Sequence, residues 1–177
     1  MASFNAIWTS LQQSGQPLPY LLIDCAGIVG GEERIPRHIF SELECLFVGD
    51  LGVELADVGP YLGLLRSLDL DVAGVVDDLL SRQVAILVAL KGITPDGGGP
   101  TFSDVHRHFR KFNIVYGPEN KSLFFRYYDP RVMNLMRHAL SKEKFAQLSE
   151  PCASMVICSD GQWLDLMSAI SPHATTA

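Results

Sequence analysis

The residues Phe124-Phe-Arg126-Tyr-Tyr-Asp129-Pro130-Arg131 run an aromatic segment directly into a helix start. Apolar and aromatic residues bounded by turn formers favour a strand, and Ser122 to Tyr128 fits that pattern. Asp129 has the short acceptor side chain of an N-cap, and Pro130 has the fixed φ of a first helical residue. Beyond it Val132, Leu135, Met136, Ala139 and Leu140 fall on one helical face. Two cations in this stretch need explaining. Arg131 lies in the first helical turn, where it opposes the helix dipole. Arg126 lies on an apolar strand. Each calls for a compensating anion, either an internal one such as Asp129 or one on a partner. The commoner source of charge near a core is a structural ion pair. Arg126, Asp129 and Pro130 therefore read as a structural motif, and Arg131 as a candidate for partner binding as well.

Working outward, the chain alternates short strands and helices. A helix is predicted over Ala6 to Gln13, and a buried strand over Tyr20 to Asp24 after Pro17 and Pro19. Gly27, Gly30 and Gly31 mark a loop. Pro36 predicts a helix to about Glu44, followed by a strand over Cys45 to Val48. Gly59-Pro60 is a turn, and Tyr61 to Leu65 is compatible with strand or helix. Asp71 is the predicted cap of a helix carrying Val72, Val75, Val76, Leu79 and Leu80. The unbroken apolar run Val84 to Leu90 predicts a strand buried on both faces. Ser103 is the predicted cap of a helix from Asp104 to about Phe112. Asn113 to Tyr116 pairs with the strand at 122–128 through Gly117 to Asn120. Met155 to Ser159 and Gln162 to Leu166 form a hairpin around Asp160-Gly161. The expected fold is α+β: mixed sheets with flanking helices in two small lobes, 1–92 and 101–170. A Gly/Pro-rich connector at 93–100 joins them, and 171–177 form a tail.

Length and composition narrow the function. The 177 residues suit one domain overall, and 47% hydrophobic against 19% charged residues excludes a disordered chain. The net charge of -6 argues against nonspecific nucleic-acid binding, which needs a basic face. Seven residues, Val84 to Leu90, make the longest apolar run, against the roughly 20 needed to span a bilayer. Met1 to Gly15 has neither a basic residue nor an apolar core of a secretory signal. The expected location is the cytoplasm, with no membrane partner. Cys25, Cys45, Cys152 and Cys158 have no C-x-x-C or zinc-finger spacing and read as reduced, mostly buried thiols.

The motifs of catalysis fail on spacing. Ala26-Gly-Ile-Val-Gly-Gly31 follows a strand but reads G-x-x-G-G, not G-x-G-x-x-G, and it leads into Glu32-Glu33, which would repel a pyrophosphate. Asp69-Leu-Asp71 lacks the setting of a phosphoryl-transfer pair. His106 and His108, two apart on a predicted helix, point away from each other and cannot share a metal. His38 and His138 have no convergent partner. No catalytic residue, metal ligand or cofactor is expected, and the chain is not expected to be an enzyme.

In these segments the chain resembles the bacterial type VI secretion adaptor proteins, or effector chaperones (the Tap/TEC family, formerly a domain of unknown function). The resemblance rests on Tyr20-Leu-Leu-Ile-Asp24, Leu46-Phe-Val-Gly49, Gly59-Pro60-Tyr-Leu62, His108-Phe-Arg110 and Phe124-Phe-Arg126-Tyr-Tyr-Asp129-Pro130-Arg131-Val132. Trp163 after an Asp-Gly turn adds to it. It implies a non-enzymatic cytoplasmic protein that binds a toxic effector before secretion and loads it onto a VgrG-like spike protein. The Gly-rich loop at Asp96 to Pro100 departs from the family pattern.

Charge distribution suggests where partners bind. Residues 1–100 hold 5 basic and 13 acidic residues, whereas 101–177 hold 9 and 7. Arg107, Arg110 and Lys111 share one face of the predicted helix at i, i+3 and i+4, and with Arg131 they are the expected partner-binding residues. A solvated face paired with the acidic half is the plainer alternative. Two other functions compete with the adaptor: a small nucleotide- or phosphate-handling enzyme using Gly27 to Gly31, and a structural subunit of the apparatus.

Overall fold

The computed structural model describes residues 3–92 and 98–168. Six strands form one antiparallel sheet. Strand β1 (Tyr20–Asp24) lies inside it, between β3 (Pro60–Leu65) and β4 (Ala85–Leu90). Outside β3 lies β2 (Phe40–Cys45), and outside β4 lie β7 (Cys152–Ser159) and then β8 (Gln162–Asp165), giving the order β2-β3-β1-β4-β7-β8. A separate hairpin pairs β5 (Ile114–Tyr116) with β6 (Ser122–Phe124). The α+β class expected from the sequence is the one observed.

Side chains alternate along the strands and feed two cores. Leu21, Ile23, Ala85, Leu87 and Val156 face one way, under α1 (Phe4–Gln13) and α3 (Leu70–Ser81), which contribute Phe4, Trp8, Val72, Val76 and Leu80. Tyr20, Leu22, Ile86, Val88, Met155 and Ile157 face the other way. There α4 (Phe102–Arg110), α5 (Pro130–Ala139) and α6 (Lys142–Leu148) bring Phe109, Met133 and Phe145. Cover on both faces explains why β1 and β4 carry unbroken apolar runs in an antiparallel sheet, where one wet face is common.

This layering replaces the two-lobe picture. β7 pairs with β4, Leu87 opposite Val156 and Val88 opposite Met155, so strands from both sides of the predicted connector share one sheet. The chain beyond the connector forms the second helical layer and one end of the sheet. Residues 93–97 of that connector and the 171–177 tail lie outside the described residues, as do the first residues of the Asp96 to Pro100 loop.

Local differences from the sequence reading have physical causes. The helix predicted from Pro36 is a single 3-10 turn, Arg37–Ile39, and the chain then enters β2. Phe40, Leu43 and Cys45 pack against the first core from that strand. Phe40 fits because its partner strand carries Gly63: a Cβ there would stand 2.4 Å from the Phe40 ring. Tyr61 to Leu65 is strand, paired between β1 and β2. The strand predicted over Cys45 to Val48 stops at Cys45, and α2 (Asp50–Glu54) follows. Asp69 rather than Asp71 caps α3, accepting from Val72 N at 2.9 Å while Ser67 Oγ donates to its other oxygen. Thr101 rather than Ser103 caps α4, in a reciprocal capping box with Asp104.

The predicted strand at 122–128 ends at Phe124. Phe125 N still bonds Asn113 O, but the chain then turns inward and buries Tyr127 completely. Tyr127 Oη donates toward Phe109 O (2.9 Å) and Asn113 Oδ1 (3.1 Å), and Asn113 Nδ2 donates to Leu46 O at 2.8 Å. One phenol thus links α4, the base of the hairpin and the segment after β2. Burial raises its pKa well above the ordinary tyrosine value, so it is a neutral donor. Tyr127→Phe should leave Asn113 and Phe109 O short of a donor and destabilise the protein by about 1–3 kcal/mol in denaturant unfolding. An unchanged midpoint would show that this link is dispensable.

Candidate functional site

The segments that carry the sequence resemblance meet in space. Tyr20–Asp24 is β1, and its neighbour β3 begins with Pro60-Tyr61-Leu62, Asp24 standing opposite Pro60. Leu46 is joined to Asn113, and Phe109 to Tyr127, by the bonds described above. The aromatic segment at 124–131 closes over this assembly. Trp163 is the exception: it packs near Phe4 (5.3 Å between ring centroids) against the first core.

At the centre of the cluster is Asp24, with no solvent exposure. It ends β1 on the face that carries Tyr20 and Leu22, so it points toward the second helical layer. Arg126 Nη2 donates to Asp24 Oδ2 at 2.7 Å and lies 3.3 Å from Asp129 Oδ2. Arg131 grips Asp129 with a fork, Nε to Oδ1 and Nη2 to Oδ2, both 2.9 Å, and its Nη2 stands 3.6 Å from Asp24 Oδ2. Two carboxylates and two guanidiniums balance, and the paired fork is the strong form of this contact. Both anions required by the sequence reading are internal. Arg126 is the one whose setting differs, since it lies in the segment after β6 and not on a strand.

Asp129 also caps α5, accepting from Arg131 N at 3.0 Å with Pro130 as the first helical residue. Burial pushes its pKa up, but the hydrogen bonds from the Arg131 side chain and backbone, and the charges of Arg131 and Arg126, outweigh burial and hold it below the ordinary value. For Asp24 burial is the larger effect and raises the pKa against the pull of Arg126. Asp24 Oδ1 is buried and has no hydrogen-bond partner.

The glycine loop named by the rival reading has a structural explanation. Gly31 has φ +61°, and a Cβ there would stand 2.5 Å from Asp57 O, so the loop needs glycine where two backbones meet. A cavity of about 510 Å³ lies beside it, and the charged side chains lining it are Glu33 and Asp57, the wrong sign for phosphate. Burial raises the pKa of all four thiols, those of Cys25 and Cys152 to about 12, which favours their protonated form. His106 Nε2 pairs with Cys45 O and His108 Nε2 with Leu148 O, each at 2.9 Å, on opposite sides of α4. Among the described residues no group of three potential ligands could hold a metal.

Arg107, Arg110 and Lys111 are all exposed on α4 or at its end. Arg107 leans on Asp104 at 3.5 Å. Arg110 and Lys111 enter no ion pair among the described residues and line a cavity with Phe47, Val48, Leu51 and Ile114. Arg131 is turned into the Asp24 cluster, away from these two. What sequence reasoning missed is the apolar part of that surface. Its signal in the sequence is the pair of short apolar strands around Gly117 to Asn120.

Replacing Asp129 by Ala should cost about 2 kcal/mol at neutral pH, through loss of the cap and of the carboxylate between two guanidiniums. The folded pKa of Asp129 lies below its unfolded value of about 3.9, so its charged form favours folding. That stability is complete above the unfolded pKa and is lost as pH falls through the folded one. The melting-temperature gap between wild type and Asp129→Ala should be widest near neutrality and shrink below about pH 4. A gap constant with pH would exclude a role for the charge.

No curated protein and no solved structure matches this chain. A family model does match, across residues 19–147, from the start of β1 to the end of α6 and so over every element of the Asp24 cluster. The chain belongs to the family described as a domain of unknown function, DUF4123.

Proposed function

We propose that this protein is an adaptor of a bacterial type VI secretion system, which binds a toxic effector in the cytoplasm and loads it onto the spike protein. Membership of DUF4123 over residues 19–147 carries the reading, because that family is associated with type VI effectors. The construction of the molecule is in keeping with a binding role. Asp24, Arg126, Asp129 and Arg131, all within the resemblance, hold the second helical layer to the sheet. The buried thiols are protonated, and the histidines bond backbone carbonyls. No helix among the described residues is long and apolar enough to cross a membrane. The protein acts by binding, without catalysis, and two exposed cations beside an apolar cavity are left to meet a partner.

The test is co-expression with the proteins encoded beside it, purifying through a tag on this chain alone. The adaptor reading expects a stoichiometric complex with a larger toxin that survives size-exclusion chromatography, and capture of the spike protein once the toxin is present. A chain that elutes alone in every combination would refute it.

A further inference from the structure

The β5–β6 hairpin shows apolar side chains on both of its faces. Ile114 pairs with Phe124, Val115 with Leu123 and Tyr116 with Ser122. Five of these six residues are large and hydrophobic, and all five are exposed, from 38% for Val115 to 74% for Tyr116. A two-stranded ribbon alone is marginal in water and has no reason to carry such residues outward. The hairpin is nonetheless fixed at its base, by Phe125 N to Asn113 O and by the Phe124 ring 5.6 Å from that of Phe47. It is an apolar surface anchored at its base.

Beside it lies a half-open cavity of about 250 Å³ with apolar walls from Phe47, Val48, Leu51 and Ile114. Arg110 and Lys111 supply its charge, and no carboxylate lines it. Most other cations of this half are satisfied internally: Arg107 by Asp104, Lys121 by Glu119, Arg126 and Arg131 by Asp24 and Asp129. Apolar walls, two cations with no ion pair among the described residues and an exposed apolar ribbon specify one kind of occupant. It places an apolar side chain in the cavity, sets carboxylates against Arg110 and Lys111, and covers the hairpin with further apolar residues.

We propose that this cleft between α4, the segment after β2 and the β5–β6 hairpin is the docking site for an acidic amphipathic segment of the effector. The inference rests on the adaptor reading above and adds the surface and the chemistry of the partner segment to it. Arg110 and Lys111 steer and orient the segment, and the cavity and hairpin bury its apolar face.

Effector binding is measured with the full chain by titration calorimetry, at low and at high salt. The variants are Arg110→Glu with Lys111→Glu, Leu123→Ser, and Leu135→Ser as a control on the exposed side of α5. All four sites are exposed, so folding should be preserved, and melting curves check it. The charge reversal should weaken binding about 30-fold or more and remove most of its salt dependence, and Leu123→Ser should weaken it about 10-fold. Leu135→Ser should bind as wild type. If wild type binds the effector and the charge-reversed and Leu123→Ser proteins bind equally well, the cleft is not the site, although the adaptor reading stands. If wild type does not bind the effector, the adaptor reading falls and this inference with it. Light scattering on the chain alone covers the remaining occupant: a dimer abolished by Leu123→Ser would make the surface a self-interface and overturn the proposal.

Discussion

A carboxyl group sealed from water at the end of an inner strand has to be supplied with donors by the protein itself. Asp24 receives them from Arg126, 102 residues further along the chain. That bond joins the sheet to the segment that leads into α5, and Asp129 and Arg131 extend it into the first turn of that helix. Removing Arg126 while the layer stays packed would leave Asp24 buried without its cation, which is far more costly than losing an exposed pair. The cluster thus adds a directional requirement to the nonspecific burial of Tyr20, Leu22, Ile86 and their partners. Hydrophobic contact alone would tolerate a shift of the layer, but the 2.7 Å charge-assisted bond from Arg126 to Asp24 would not.

Which features could be read from the sequence depended on how local their causes are. Asp129 and Pro130 were legible because a cap is decided within three residues. Asp160-Gly161 was legible because a two-residue turn with both φ positive is decided by two residues, and φ of 51° and 69° are observed there. The strand at Phe40–Cys45 was not legible, since what makes it a strand is the space above Gly63 on the neighbouring strand. The cap of α3 was displaced by two residues because Asp69 and Asp71 offer the same chemistry, and only the bond from Ser67 and the path of the chain separate them. The need of Arg126 and Arg131 for anions was visible in their positions, but Asp24 as the answer was not, because nothing in the sequence brings residue 24 to residue 126. The joining of β7 to β4 across the connector is the same kind of fact. Pairing between distant strands leaves no signature in either strand beyond apolarity.

The candidate site shows a similar division. Local sequence placed Arg107, Arg110 and Lys111 together on one helix, and the helix is there. It could not say which of the three already had a partner. Asp104, three residues before Arg107, takes it up while also closing the capping box with Thr101. The excess of cations over residues 101–146 therefore overstates the charge free to meet a partner. Four of the nine basic residues in that span are held by carboxylates of the same molecule, and Arg126 and Arg131 serve the fold first.

Most residues that carry the resemblance build the scaffold, and Phe47, Val48, Arg110 and Phe124 among them also border the proposed cleft. The motif that anchors Asp24 is poorly suited to adapt to partners, because Asp24, Arg126, Asp129 and Arg131 hold one another and a displacement breaks several bonds together. A hairpin mounted on that cluster through Asn113 and Phe125 can carry different side chains outward without disturbing what lies beneath it. A buried link between the two is Tyr127, whose hydroxyl bonds Asn113 at the base of the hairpin while Arg126 and Asp129 in the same segment bond Asp24 and Arg131. The position of the binding surface is thus set by the scaffold, and its chemistry by the exposed residues of β5, β6 and the end of α4.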